Sequence, residues 1–91
     1  MHPSIYILYN RVFKYLEEKK LLRCSTIELK TLSLPEKVAD VIRVHSLVDG
    51  ELVCATVWKK GFVLCSPDGT IFRGYDDAYL YIINILESRN A

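Results

Sequence analysis

The chain has 91 residues, 51% of them apolar, with a formal charge of +1 and a pI near 7.7. That length allows one domain, residues 1–91, able to fold alone with a modest margin. Near-neutral charge excludes a polybasic chromatin-coating protein but not a binder with a local basic face.

The charge is uneven. Residues 1–60 hold ten bases against seven acids, and residues 61–91 hold two against four, so a polyanion contact belongs to the first two thirds. Cys24, Cys54 and Cys65 are odd in number and widely spaced. With no leader-like start, they read as reduced thiols in an intracellular, cytoplasmic protein. No segment approaches the length of a membrane span.

Ser4 is positioned to cap a first helix. Ile5, Leu8, Tyr9, Val12, Phe13 and Leu16 then form one stripe at helical spacing, which predicts a helix over about 4–20 ending in "EEKK". Ser25 or Thr26 is expected to cap a short second helix. In "LSLP", Ser33 and Pro35 mark a new helix start, and Val38, Val41, Ile42, His45 and Val48 recur every three to four residues, predicting a third helix over 35–47.

The same segment has a second reading. "VIRVHSLV" is rich in β-branched residues, and Asp49-Gly50 signals a type I′ turn. In that hairpin Val48 faces Glu51, and Ile42, Val44 and Val48 share a face with Val53, Ala55 and Val57. Periodicity leaves both readings of residues 38–48 open.

"ELVCATVW" and "FVLC" read as strands joined by a three-residue loop, Lys59-Lys60-Gly61. "SPDG" is a turn into a short strand "TIFR". Asp76 and Asp77 open a final helix, "DDAYLYIINILESRN", with Arg89 in its last turn. That helix is apolar nearly all round. A homodimer follows as an expectation, with Tyr79, Ile82, Ile83 and Leu86 at its interface.

Capped helix, "LxL" turn, second periodic helix, "DG" and a basic-tipped hairpin make "TIELKTLSLPEKVADVIRVHSLVDGELV" resemble the winged helix-turn-helix family over about residues 5–66. The resemblance implies an α+β fold of three helices, a β-hairpin wing and a C-terminal helix, with 1–66 as core and 67–91 as an appended strand and dimerisation helix. "SPDGTIFRGYDDAYLYI", over residues 66–82, is also similar to the strand-turn-strand-helix end of methyl-CpG-binding-type domains. The alternative fold is a two-layer α/β arrangement, a four-stranded antiparallel sheet flanked by N- and C-terminal helices.

The winged reading implies a small transcriptional regulator binding double-stranded DNA. Lys37, Arg43 and Ser46 would project from helix 35–47 into the major groove, and Lys59 and Lys60 would grip the backbone from the wing tip. Ser25 and Thr26 would meet a phosphate at a helix start. The bland alternatives are a solvated hairpin tip and ordinary capping. Trp58, Tyr75, Tyr79 and Tyr81 are expected in the core or an interface more than as base-stacking platforms. No CxxC, HxxxH, Gly-rich loop, GxSxG or HExxH is present, so no metal, cofactor or enzymatic activity is expected. The alternative fold carries its own expectation, a non-enzymatic protein-interaction module.

Overall fold

A computed structural model describes residues 5–33, 35 and 38–87. Its order is α1 (Ile5–Glu18), a single 3-10 turn (Leu22–Cys24), β1 (Ser25–Ser33), β2 (Val38–Val48), β3 (Glu51–Lys60), β4 (Val63–Cys65), β5 (Ile71–Phe72) and α2 (Tyr75–Glu87). The strands form one antiparallel meander in the order β1-β2-β3-β4-β5.

The winged fold is therefore corrected. The expected second helix is β1, and the expected third helix, 35–47, is β2. The observed architecture is close to the alternative, with five strands in place of four and both helices on one face. The physical reason lies at Asp49-Gly50. Both residues have positive φ, 51° and 82°, as a type I′ turn requires, and the turn joins β2 to β3 over ten register pairs from Ala39–Lys60 to Val48–Glu51. Hydrogen bonding along a hairpin of that length outweighs the modest helical preference of a β-branched segment.

The helix α1 ends where Lys20 takes a left-handed backbone (φ 59°). Leu21 N–H then donates to the Leu16 carbonyl and Lys20 N–H to Glu17, which is the Schellman pattern. Lys19 and Lys20 thus lie beyond the helix and not in its last turn. The Ser4 cap, Leu34 of the "LSLP" break, Glu36, Lys37 and Arg89 fall outside the described residues.

Strand parity sorts the side chains into two faces. Ile42, Val44 and Val48 of β2 join Val53, Ala55 and Val57 of β3 and Leu64 of β4. They meet Ile5, Leu8, Val12 and Leu16 of α1 and Ala78, Ile82, Ile83 and Leu86 of α2 in one contiguous core. The helix α2 lies chiefly over β3, and α1 lies beside it on the β1 side. Arg11 pairs with Asp76 at 2.6 Å and lies 4.2 Å over the Tyr79 ring, while Tyr15 donates to Glu87 at 2.6 Å. Among the described residues, the other face of the sheet carries no helix. No helix among the described residues is long and apolar enough to cross a membrane.

Candidate functional site

The bare face is built from alternate residues of every strand. By register its cross-strand rows are Thr26-His45-Cys54, Glu28-Arg43-Thr56, Lys30-Val41-Trp58-Cys65-Ile71 and Leu32-Ala39-Lys60-Val63, with Leu47-Leu52 near the long hairpin's turn. It has a character of its own. Ala39 and Val41 are 0% and 1% exposed although no helix covers them. Their shield is the pair beside them on β3, Trp58 and Lys60, with the Lys60 ammonium 4.9 Å from the indole.

Around that small second cluster lie apolar side chains open to solvent, Ile71 (71% exposed) and Val63. The Trp58 Nε1 is buried and has no hydrogen-bond partner, a costly state for an indole N–H. Charge on this face is predominantly positive. Lys30, Arg43 and Lys60 stand against Glu28, which is already 3.2 Å from Lys30.

The residues singled out for DNA binding do not converge. The β3–β4 connection is the two-residue turn Gly61-Phe62, not a three-residue loop, because Lys60 pairs with Val63 and Gly61 supplies φ 63° at the first turn position. Lys59 and Lys60 are therefore the last two residues of β3 and point to opposite faces. Lys59 is on the helix side, only 6% exposed, and its ammonium donates to the Gly61 carbonyl.

Ser25 and Ser46 also face the helix side. Their hydroxyls bond at 2.8 Å, and Ser46 is fully buried. Arg43, Thr26 and Lys60 share the bare face, and Lys37 is outside the described residues. The expected dimer residues are engaged within the chain. Ile82, Ile83 and Leu86 are buried against the sheet and α1, and Tyr79 is half-buried beneath Arg11. The sheet and α1 are the cover that an all-round apolar helix requires.

The two-residue turn also changes the cysteine geometry. Under a three-residue loop Cys54 and Cys65 would point to opposite faces of the sheet; with the two-residue turn they lie on the same, helix-free face. His45 is directly across from Cys54, but no hydrogen bond joins them, and the thiol's contact is with Thr56 at 4.0 Å. Among the described residues no group of His, Cys, Asp or Glu is placed to hold a metal ion.

A concavity of about 270 Å³ lies between the β3–β4 turn and the start of α2. Lys59, Phe62, Leu64, Phe72, Arg73, Gly74 and Tyr75 surround it. Its buried ammonium already serves its own turn and lies 5.8 Å from the Phe62 ring. Below it, the Ser66–Thr70 turn is tied by Ser66 to Asp68 and by Thr70 N–H to Asp68 at 3.1 Å. The Ser66 hydroxyl first, then Thr70, holds the Asp68 carboxyl below its ordinary range.

The bare face was missed in the sequence because its signal is split across five strands. The legible clue was Trp58 two residues before Lys60 in a strand whose alternate positions are Val53, Ala55 and Val57. Compared with known proteins, the chain matches no family model, no curated protein and no solved structure.

Proposed function

We propose that the chain is a non-enzymatic protein-interaction module whose helix-free sheet face docks an apolar partner segment bearing acidic side chains. The observation that carries this reading is the pairing of Ile71, Val63 and the Trp58 cluster with Lys30, Arg43 and Lys60 on one uncovered face. Apolar side chains grouped within a basic frame fit a partner that offers both hydrophobic area and carboxylates.

Duplex recognition through a major-groove helix has no element to carry it, since residues 38–48 are β2. The Trp58 ring is occupied by Lys60, and the open apolar residues near it are largely aliphatic, which suits side-chain burial better than base stacking.

The test is selection of random displayed peptides on the immobilised chain, with binding of the winners measured by calorimetry. Enrichment of Leu, Ile or Phe together with Asp or Glu is expected. Binding should fall at least tenfold in Ile71→Asp and several-fold in Arg43→Ala. Winners that bind these variants as well as wild type overturn the reading. So does tight binding of random single-stranded or duplex oligonucleotides lost with Arg43→Ala and Lys60→Ala, which assigns the face to nucleic acid.

A further inference from the structure

The two edges of the sheet are unlike. The edge strand β5 has only two residues and leads at once toward α2. The edge strand β1 has nine, paired to β2 in unbroken register from Ser25–Ser46 to Ser33–Val38, with no bulge and no proline. Every second backbone N–H and C=O of β1 points away from β2 and has no strand to meet among the described residues. Proteins normally blunt such an edge with proline, a bulge or uncompensated lysine. Here the one lysine, Lys30, is 3.2 Å from Glu28 on the same face.

We propose that β1 is a dimerisation edge. A second copy of this chain adds antiparallel to it about a two-fold axis through Leu29, giving a continuous ten-stranded sheet. The sequence of β1, "STIELKTLS", selects that axis by charge. A two-fold axis normal to the sheet pairs residues whose numbers add to a constant even sum, because only then do directly opposed side chains share a face. Centred on Leu29, Glu28 faces the partner's Lys30 and Lys30 faces the partner's Glu28. Centred one residue earlier, Glu28 faces its own copy. Centred one residue later, Lys30 does. The Leu29 register is also the one that overlaps all nine residues, Ser25 meeting the partner's Ser33. Charge complementarity and length thus choose the same alignment.

The helix layer agrees. Arg11 and Tyr15 mark the side of α1 turned toward α2. At about 100° per residue, Tyr6, Tyr9 and Phe13 occupy the opposite flank, on the β1 side. Tyr9 and Phe13 stack at 6.5 Å, and Tyr6 and Phe13 are 47% and 38% exposed. Across the Leu29 axis this aromatic flank meets its own copy, and the half-buried Ile27 and Leu29 at the rim of the core gain cover. The dimer does not depend on what the bare face binds.

The experiment is a charge-reversal cycle read by sedimentation equilibrium. Wild type is expected to run at twice the chain mass. Glu28→Lys and Lys30→Glu each replace two attractions with two repulsions and should weaken self-association about tenfold or more. Mixing the two single variants should restore assembly as a heterodimer, and the double variant Glu28→Lys/Lys30→Glu should dimerise alone.

A second arm removes dependence on those variants folding. In a Cys24→Ser/Cys54→Ser background, Leu29→Cys should cross-link to itself on oxidation, since directly opposed Cα atoms are about 4.5–5.5 Å apart. Thr31→Cys, displaced by about 13 Å along the strand from its own copy, should not. A wild-type chain that stays monomeric at about 1 mM overturns the proposal, as does self-association indifferent to both single reversals or equal cross-linking at Thr31→Cys.

Discussion

Replacing Trp58 with phenylalanine asks what holds the helix-free face together. The ring lies between Val41 on β2 and Cys65 on β4, with Lys60 over it, and its Nε1 is buried without a partner. Phenylalanine removes roughly 40 Å² of apolar contact, worth about 1 kcal/mol at 25 cal/mol/Å². It also weakens the cation–π contact by about 0.5 kcal/mol. Against this, it removes a buried donor whose lost hydration costs about 1–3 kcal/mol. The expected net effect of Trp58→Phe therefore runs from a loss of about 0.5 kcal/mol to a gain of about 1.5 kcal/mol, a melting temperature between about 4 °C lower and about 12 °C higher.

Trp58→Ala is the contrast. It uncovers Val41 and Ala39 as well as losing the ring, and should cost about 3 kcal/mol. Urea titration followed by far-UV circular dichroism measures both variants without using tryptophan fluorescence. A loss of 2 kcal/mol or more in Trp58→Phe would refute the reasoning, because it would mean that the indole N–H has a partner in solution.

Leu86→Ala, at a fully buried α2 position, should cost about 3 kcal/mol in urea titration while leaving the association constant of the folded chain unchanged. A loss of self-association at full stability would place α2 in the dimer instead. Gly50→Val puts a β-branched residue at φ 82° and should cost about 2 kcal/mol, read as a shift in the denaturation midpoint. Burial first, then the Glu87 bond, pushes the Tyr15 hydroxyl above its ordinary 10. Above pH 10 the unfolded chain therefore releases this proton while the folded chain keeps it, and stability should fall as pH rises from there. Tyr15→Phe should flatten that alkaline decline, measured as melting temperature between pH 9 and 11.

The elements that were legible in the sequence are those whose apolar residues face one way. In α1, Ile5, Leu8, Val12 and Leu16 are all fully buried, and one stripe marked them. In β3, Val53, Ala55 and Val57 alternate with more exposed positions, and the period of two is plain. The strand β2 is different because both its faces are covered at one end. Ile42 and Val44 face the helices, and Ala39 and Val41 lie under Trp58 and Lys60. Apolar residues on both faces turn an alternating pattern into a run, and Val38, Val41, Ile42, His45 and Val48 picked from that run imitate a helical stripe. In β1 the alternation Ile27-Leu29 breaks at Leu32, which belongs to the other face. Hairpin chemistry at Asp49-Gly50 was the stronger local signal, since it demands two positive φ values that a helix running into the turn does not.

The same parity argument explains why the candidate site was less legible than the fold. Lys59 and Lys60 are adjacent in sequence, and adjacency suggests joint action at a hairpin tip. On a strand, neighbours are the two residues that cannot share a ligand across one face. Ending β3 at Lys60 instead of Trp58 sends one ammonium into the helix layer and the other onto the indole. Residues that do share a surface, such as Lys30, Val41, Trp58, Cys65 and Ile71, are spread over 42 positions of sequence and meet only because four successive antiparallel pairings bring them into one row. Among the described residues, the two surfaces on which the proposals rest are the bare face and the long edge. Each is defined by cross-strand register and not by a contiguous motif.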